Sequence, residues 1–220
     1  MKPIIVIPNY NDNKYLANLV DQIHLLTNTQ ILIIDDGSTK PVEPIDGVIH
    51  LKNRVNRGKG YSLLKSFTHA NELGYTHAIT LDADSQHHPK YINDMIEIDD
   101  DVDIVFGRRQ FNFDMPFIRR LSNKLTSKII SILSGFKDIY DSQCGYRRYK
   151  LNSILELKLK EHGFQFESEV ILQLSTLNDI KIRNLNIETI YGSEESSISN
   201  IKDTFKFIRL IIRSLLFKKA

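Results

Sequence analysis

Ala78-Ile79-Thr80-Leu81-Asp82-Ala83-Asp84-Ser85-Gln86-His87-His88-Pro89 joins a short apolar run to two carboxylates. Ala78 to Leu81 reads as a buried strand that delivers Asp82 and Asp84 to its carboxyl end. Carboxylates two residues apart at an extended strand end point the same way, which suits a hard divalent cation. Mg²⁺ or Mn²⁺ held by one or two protein carboxylates usually fills its other positions with water and substrate phosphates. Asp-Ala-Asp therefore suggests a nucleotide-diphosphate site. The same tripeptide is also a common solvated turn or helix cap, so its meaning rests on the segments around it.

Upstream, Ile4 to Ile7 is a β-branched run closed by Pro8, and Leu16, Leu19, Val20 and Ile23 then recur at helical spacing. Ile31 to Ile34 repeats the apolar run and enters Asp35-Asp36-Gly37-Ser38, which completes a βαβ unit. A short strand near Val48–Leu51 leads to Asn56-Arg57-Gly58-Lys59-Gly60, with a helix from Tyr61 to about Leu73 ended by Gly74. That glycine-rich loop lacks the spacing of a Walker A motif. Ligands of open α/β sheets bind outside the carboxyl ends of the strands, so the loops at Pro8, Asp35 and Asp82 should share one crevice.

Downstream, a helix is expected from Tyr91 to Ile98, then a strand from Asp103 that exits on Arg108-Arg109. From Phe117, Ile118, Leu121, Leu125, Ile129, Ile132 and Leu133 keep helical spacing, with Arg119, Arg120, Lys124 and Lys128 on other faces. Asp138 to Tyr149 mixes polar and aromatic residues in a way a plain linker would not. Helices from Leu151 and up to about Leu177, and a strand from Ile182 to Ile190, complete the globular part. In the tail, Ile201, Phe205, Ile208, Ile212 and Leu215 share one face, and Lys202, Lys206, Arg209 and Arg213 form a basic row. Such a helix can lie in a membrane interface with its basic residues on anionic headgroups, or pack back on the core, or form a dimer contact.

A chain of 220 residues with 41% hydrophobic content supports one sizeable core, here assigned to residues 1–198, with 199–220 as an amphipathic appendage. The formal charge of +2 argues against a general nucleic-acid binder. Cys144 has no partner for an internal disulfide, which fits a reducing compartment. The opening residues are too short for a secretory apolar region, and no run reaches about 18 apolar residues, so a soluble or peripheral protein is expected.

Taken together, Pro8-Asn9-Tyr10-Asn11-Asp12, Asp35-Asp36-Gly37-Ser38, Asn56-Arg57-Gly58-Lys59-Gly60, Asp82-Ala83-Asp84-Ser85-Gln86, Gly107-Arg108-Arg109 and Ser142-Gln143-Cys144-Gly145-Tyr146-Arg147 closely resemble the family 2 glycosyltransferases. More specifically they resemble the branch of polyprenyl-phosphate sugar synthases similar to dolichyl-phosphate mannose synthase, and the resemblance covers roughly residues 3 to 195. The resemblance implies an α/β GT-A fold, a Rossmann-like, mostly parallel mixed sheet flanked by helices. It also implies a nucleotide-sugar donor (GDP- or UDP-hexose), Mg²⁺ or Mn²⁺, and a polyprenyl phosphate or other lipid-linked acceptor. Pro8, Tyr10, Asp12, Asp36, Lys59, Asp82 and Ala83 would then line the donor site, with Asp12 where the family more often has Glu. Asp84 and Gln86 would hold the metal, and Arg109 would meet phosphate. Arg119, Arg120, Arg147 and Glu169 would serve the acceptor side. The family's Arg near a Gly-x-Ser is missing from Thr189-Ile190-Tyr191-Gly192-Ser193-Glu194-Glu195-Ser196-Ser197.

Members of the family invert at the anomeric carbon by direct displacement. A phosphate monoester acceptor is already an anion and needs no general base. The segment before Gln143-Cys144-Gly145 holds no Glu-Asp pair to act as one, and Asp141 is the nearest carboxylate. Two other readings stand beside this. One is transfer to a glycan or glycolipid hydroxyl with Asp141 as base; the other is a non-catalytic nucleotide-sugar-binding membrane subunit. The expected location is cytoplasmic, peripheral on the inner face of the cell membrane, with homo-oligomerisation left open.

Overall fold

The structure, a computed structural model, describes residues 1–84, 86–109, 117–188 and 200–217, without the side chains of 117–119, 200–201 and 216–217. The strands are β1 (Pro3–Asn9), β2 (Ile31–Asp35), β3 (Ile49–Lys52), β4 (His77–Thr80), β5 (Ile104–Arg109), β6 (Arg147–Lys150) and β7 (Ile182–Ile187). They form one sheet in the order β3-β2-β1-β4-β6-β5-β7. All neighbouring pairs are parallel except β4·β6 and β5·β6, which run antiparallel. The helices are α1 (Asn13–Leu26), α2 (Lys59–Glu72), α3 (Ile92–Glu97), α4 (Phe117–Ser134), α5 (Leu151–Leu155), α6 (Phe166–Leu174) and α7 (Asn200–Phe217).

Side chains alternate across the central strands, so each strand feeds two cores. Ile5, Ile7, Ile31, Ile33, Ile79 and Leu81 pack under α1 and α3 with Leu16, Val20, Ile23 and Met95. Ile4, Val6, Leu32, Ile34, Ala78, Ile104 and Phe106 face the other way, against Phe67 of α2, Ile130 of α4, Val170 of α6 and Leu210 of α7. Ile4, Ile5, Val6 and Ile7 are all fully buried. Each such side chain contributes roughly 1.5–3 kcal/mol of transfer free energy. β1 is therefore covered on both faces, as is β2, where Ile31 to Ile34 are equally buried.

Strand order reverses between β1 and β4, where the crevice of an open α/β sheet opens. The loops after β1, β2 and β4 meet there, as the apolar runs imply. One element departs from the sequence reading: Arg147–Lys150 is a strand inserted antiparallel between β4 and β5. The expected stretch from Tyr91 to Ile98 is a 3₁₀ turn at Pro89–Tyr91 followed by the short α3. Residues 189–190 of the expected last strand, and the Thr189–Ser197 departure, lie outside the described residues.

Candidate active site

Lys59, the first residue of α2, joins two carboxylates at the centre of the crevice. Its Nζ lies 2.7 Å from Asp82 Oδ1 and 2.9 Å from Glu167 Oε1. Burial opposes the charge on Lys59, but Asp82 and Glu167 outweigh it and hold its pKa above the ordinary lysine value. Burial likewise opposes ionisation of Asp82, and Lys59 overcomes it, leaving the Asp82 pKa below the usual carboxylate range. The backbone of Gly145 presses directly on this pair: a Cβ there would overlap Asp82 Oδ2 and stand 2.7 Å from Lys59 Nζ. Thr80 Oγ1 donates to the Gly145 carbonyl at 2.6 Å and fixes that approach.

Glu167 escaped the sequence reading, which stopped at its neighbour Glu169. Its signal was an acidic residue near the start of a helix whose residues are buried almost all round. A carboxylate in such a position needs a cationic partner.

Asp36 fixes the loop that carries Lys59. Its carboxylate accepts from the backbone N–H groups of Arg57 (3.0 Å) and Gly58 (2.7 Å) and from Asn53 Nδ2 (2.8 Å). Gly58 has φ +95°, and a Cβ there would overlap the His162 carbonyl. The loop after β1 is tied to the loop after β2, since Ser38 Oγ accepts from Asn11 N at 2.9 Å and Asn11 Oδ1 accepts from Thr39 N at 2.9 Å. Pro8 is half-buried, while Tyr10 and Asp12 are exposed beside it. Asn9 Oδ1 and Asp35 Oδ2 at the ends of β1 and β2, His87 Nδ1 in the loop after β4 and Glu167 Oε2 in α6 are buried without a hydrogen-bond partner. Native proteins rarely leave such atoms unmatched, so those that border the crevice are candidates to meet a polar ligand.

Ala83 is buried, whereas Asp84 and Gln86 are half-buried in the loop after β4. Asp84 Oδ1 accepts the Gln86 N–H at 3.0 Å, which folds both side chains into one turn. A carboxylate and an amide carbonyl are hard oxygen donors, and this donor set fits Mg²⁺ or Mn²⁺. Among the described residues no three His, Cys, Asp or Glu side chains form a complete cage. A cation at Asp84 and Gln86 therefore needs oxygens from its ligand.

The second half of the site differs from expectation. Arg109 forms a bidentate pair with Asp141, Nε to Oδ2 at 2.6 Å and Nη2 to Oδ1 at 2.9 Å, and both residues are buried. Burial disfavours the Asp141 charge, but Arg109 outweighs burial and keeps its pKa below the ordinary value. Arg147 was expected near the acceptor, yet it is fully buried. It donates to the carbonyls of Cys144 (2.7 Å), Ser142 (2.7 Å) and Glu167 (3.0 Å), which shapes the loop around Gly145. Glu169 likewise faces inward: Oε2 accepts the N–H groups of Lys160 (2.8 Å) and Glu161 (2.7 Å), and Oε1 meets Arg213. The Arg147 placement corrects its acceptor assignment, because a buried guanidinium must spend its hydrogen bonds on the protein, while Glu169 acts as a support for the backbone of residues 160–161. Arg120 is half-buried on α4, and the Arg119 side chain lies outside the described residues.

Beside Arg109, a cleft of about 800 Å³ is lined by Arg108, Lys124, Lys128, Ser127, Tyr140 and Ile132, among others. The Arg108 guanidinium stacks on the Tyr140 ring at 3.9 Å. Cations and hydroxyls with an apolar wall suit an anionic group carried on an apolar body.

This sheet order and strand-end cluster define a nucleotide-diphospho-sugar transferase fold of the GT-A class. The solved glucosyl-3-phosphoglycerate synthase from Mycobacterium tuberculosis in complex with Mn²⁺, uridine diphosphate and phosphoglyceric acid superposes on it with a TM-score of 0.72 at 15% identity, over 98% of this chain and 77% of that one. Residues 4–155 match the family model described as Glycosyl transferase family 2, and the chain belongs to that family as a glycosyltransferase. It is similar to the UDP-N-acetylglucosamine–dolichyl-phosphate N-acetylglucosaminyltransferase of Methanococcus voltae, 29% identical over 94% of each chain. It is also similar to the polyprenol monophosphomannose synthase of Mycolicibacterium smegmatis, 23% identical over 98% of this chain and 89% of the relative.

Proposed function

We propose that the protein transfers a hexose-type sugar from a GDP- or UDP-sugar to a polyprenyl phosphate, at the inner face of the cell membrane. The observation that carries the choice of acceptor is the Arg109–Asp141 pair. A general base works best with a pKa near the operating pH, whereas Asp141 is buried, doubly paired and held below its ordinary pKa. A hydroxyl acceptor would lack a base there; a phosphate monoester needs none. The relatives named above act on dolichyl phosphate or polyprenol by their names, which supports the same acceptor.

On this reading the donor diphosphate lies against Asp84 and Gln86, with Lys59, Asp82 and the loop after β1 around the nucleoside. Mg²⁺ or Mn²⁺, when bound, neutralises charge developing on the leaving diphosphate. Arg109, its charge balanced by Asp141, forms part of the wall of the cleft, and Arg108, Lys124 and Lys128 beside it supply the positive charge where the two phosphates approach. An acceptor phosphate oxygen attacks the anomeric carbon as the bond to the diphosphate breaks, so configuration inverts and the nucleoside diphosphate leaves. Arg108, Lys124 and Lys128 hold the acceptor phosphate, and Tyr140 and Ile132 meet the first isoprene units.

The test is sugar transfer by purified protein with Mn²⁺ or Mg²⁺, a panel of UDP- and GDP-sugars, and polyprenyl phosphate beside neutral glycolipids. Transfer should require the phosphate lipid, and Asp84→Ala should lower it by at least ~100-fold, as loss of a main electrostatic contact does. Transfer to a neutral glycolipid alone would refute the acceptor assignment. Lys124→Ala combined with Lys128→Ala should raise the acceptor KM by about 10-fold or more with donor KM unchanged, since each charge-assisted hydrogen bond contributes ~1.5–3 kcal/mol. An unchanged acceptor KM would move the phosphate elsewhere.

A further inference from the structure

Arg213, the last residue of the basic row of α7, turns into the protein and ends on the scaffold of the Lys59 loop, while Lys202, Lys206 and Arg209 are exposed. Arg213 Nη1 lies 3.1 Å from Glu161 Oε1, and its Nη2 meets Glu169 Oε1. Arg209 Nη2 adds a second contact to Glu161 Oε2 at 3.3 Å. Glu161 and Glu169 are both almost fully buried, at 4% and 2% exposure, so two carboxylates share the cations of one helix. Glu169 also receives the backbone N–H groups of Lys160 and Glu161. The next residue, His162, presents its carbonyl to Gly60 N at 2.8 Å and Tyr61 N at 3.3 Å, the first turn of α2. A Cβ on Gly60 would overlap the Glu161 carbonyl, so the two backbones are in direct contact. Asp36 holds the Lys59 loop from one side, and the 160–162 segment holds it from the other.

We propose that Arg213 is a positioning residue for the donor loop: by neutralising Glu161 and Glu169 it fixes the 160–162 backbone, which seats Gly58-Lys59-Gly60 against Asp82. This rests on the donor reading above for its consequence, though not for its geometry. Without Arg213, like charges on Glu161 and Glu169 stand close together in a buried place and push the segment apart. The His162 carbonyl then shifts from Gly60 and Tyr61. The tail helix is on this account a structural part of the donor site, so its loss loosens nucleotide binding even where no membrane is present.

The experiment compares wild type with Arg213→Gln, Arg213→Lys and the double variant Arg213→Gln/Glu161→Gln, with Lys202→Ala on the exposed face of α7 as control. Two quantities are read: amide hydrogen exchange at Gly60 and Tyr61, and calorimetric binding of UDP and GDP with Mn²⁺. Arg213→Gln should lose protection at those two amides and bind the preferred nucleotide about 10-fold more weakly, the size of one charge-assisted contact. Arg213→Lys and Lys202→Ala should keep both, and the double variant should recover part of each. The proposal is overturned if Arg213→Gln keeps protection and affinity, or if its loss of protection extends equally to β1 and β2, which is general destabilisation. Wild type binding neither nucleotide would sink the donor reading, and the exchange measurement would still judge the clamp.

Discussion

Gly145 controls the donor cluster through a single missing carbon. A Cβ at this position overlaps Asp82 Oδ2 and crowds Lys59 Nζ, so Gly145→Ala must displace a charged pair in a packed site. Overpacking of this kind costs typically ~1–3 kcal/mol, and urea denaturation should show it. Nucleotide affinity should fall further than stability, because the displaced groups are those proposed to face the ligand; equal stability and affinity to wild type would argue against the close approach. The same cluster shows what a sequence conveys about a site. Asp82 and Asp84 were visible because they follow an apolar strand in a crevice-forming fold. Glu167 and the Arg109–Asp141 pair were not, since each depends on a partner brought close only by the folded chain, 108 residues from Lys59 in one case and 32 in the other. Arg147 was misplaced for a related reason: a cation in a motif reads as a ligand contact, and only the structure shows three carbonyls consuming its donors.

At the scale of the element, the parallel strands were legible as β-branched runs, whereas β6 was hidden. Arg147-Arg148-Tyr149-Lys150 has no apolar alternation, yet it lies between β4 and β5 with Arg147, Arg148 and Tyr149 buried. Arg148 makes this tolerable by donating to the carbonyls of Met95, Ile98 and Asp99 at the end of α3. The arrangement sets a charge beside His77, which pairs with Lys150 in the β4·β6 ladder. Burial, reinforced by Arg148, lowers the His77 pKa from 6.5 to about 4. The neutral ring with its proton on Nε2 satisfies both neighbours, donating to the Asp100 carbonyl (3.1 Å) and accepting from Thr76 Oγ1 (2.9 Å). A histidine with a depressed folded pKa contributes stability that is complete above its unfolded value and is lost as pH falls through the folded value. The urea midpoint should therefore drop between pH 6.5 and about 4, and His77→Asn should have a lower midpoint at pH 7 and a shallower slope across that window. Parallel pH profiles for the two proteins would show that His77 does not supply the slope.

For the whole molecule, α4 and α7 each leave a row of apolar side chains exposed. On α7, Phe207, Leu210 and Ile211 pack on the core and Arg213 and Arg209 clamp its carboxylates. Phe205 (69%), Ile208 (48%), Ile212 (56%) and Leu215 (47%) stand outward, and so do Leu121, Leu125 and Ile132 on α4. Of the expected alternatives for this helix, packing back on the core accounts for Arg213, which is held by Glu161 and Glu169, while Arg209 stays largely exposed beside the apolar row. No helix among the described residues is long and apolar enough to cross a bilayer. An acceptor with a polyprenyl tail must nevertheless be reached at a bilayer surface, and outward apolar rows on a rigidly docked helix would bring the enzyme to it. Full burial of a Phe or Ile side chain is worth roughly 1.5–3 kcal/mol, so replacing two of them by charges should cut binding by at least ~100-fold. Phe205→Glu with Ile212→Glu should lower co-flotation with liposomes by that factor, while leaving the melting temperature and UDP or GDP binding unchanged, because both side chains are mostly exposed. Retained flotation in this variant would remove α7 from the membrane contact. Lost flotation together with lost nucleotide binding would mean that the substitutions had undocked the helix and with it the support of the Lys59 loop.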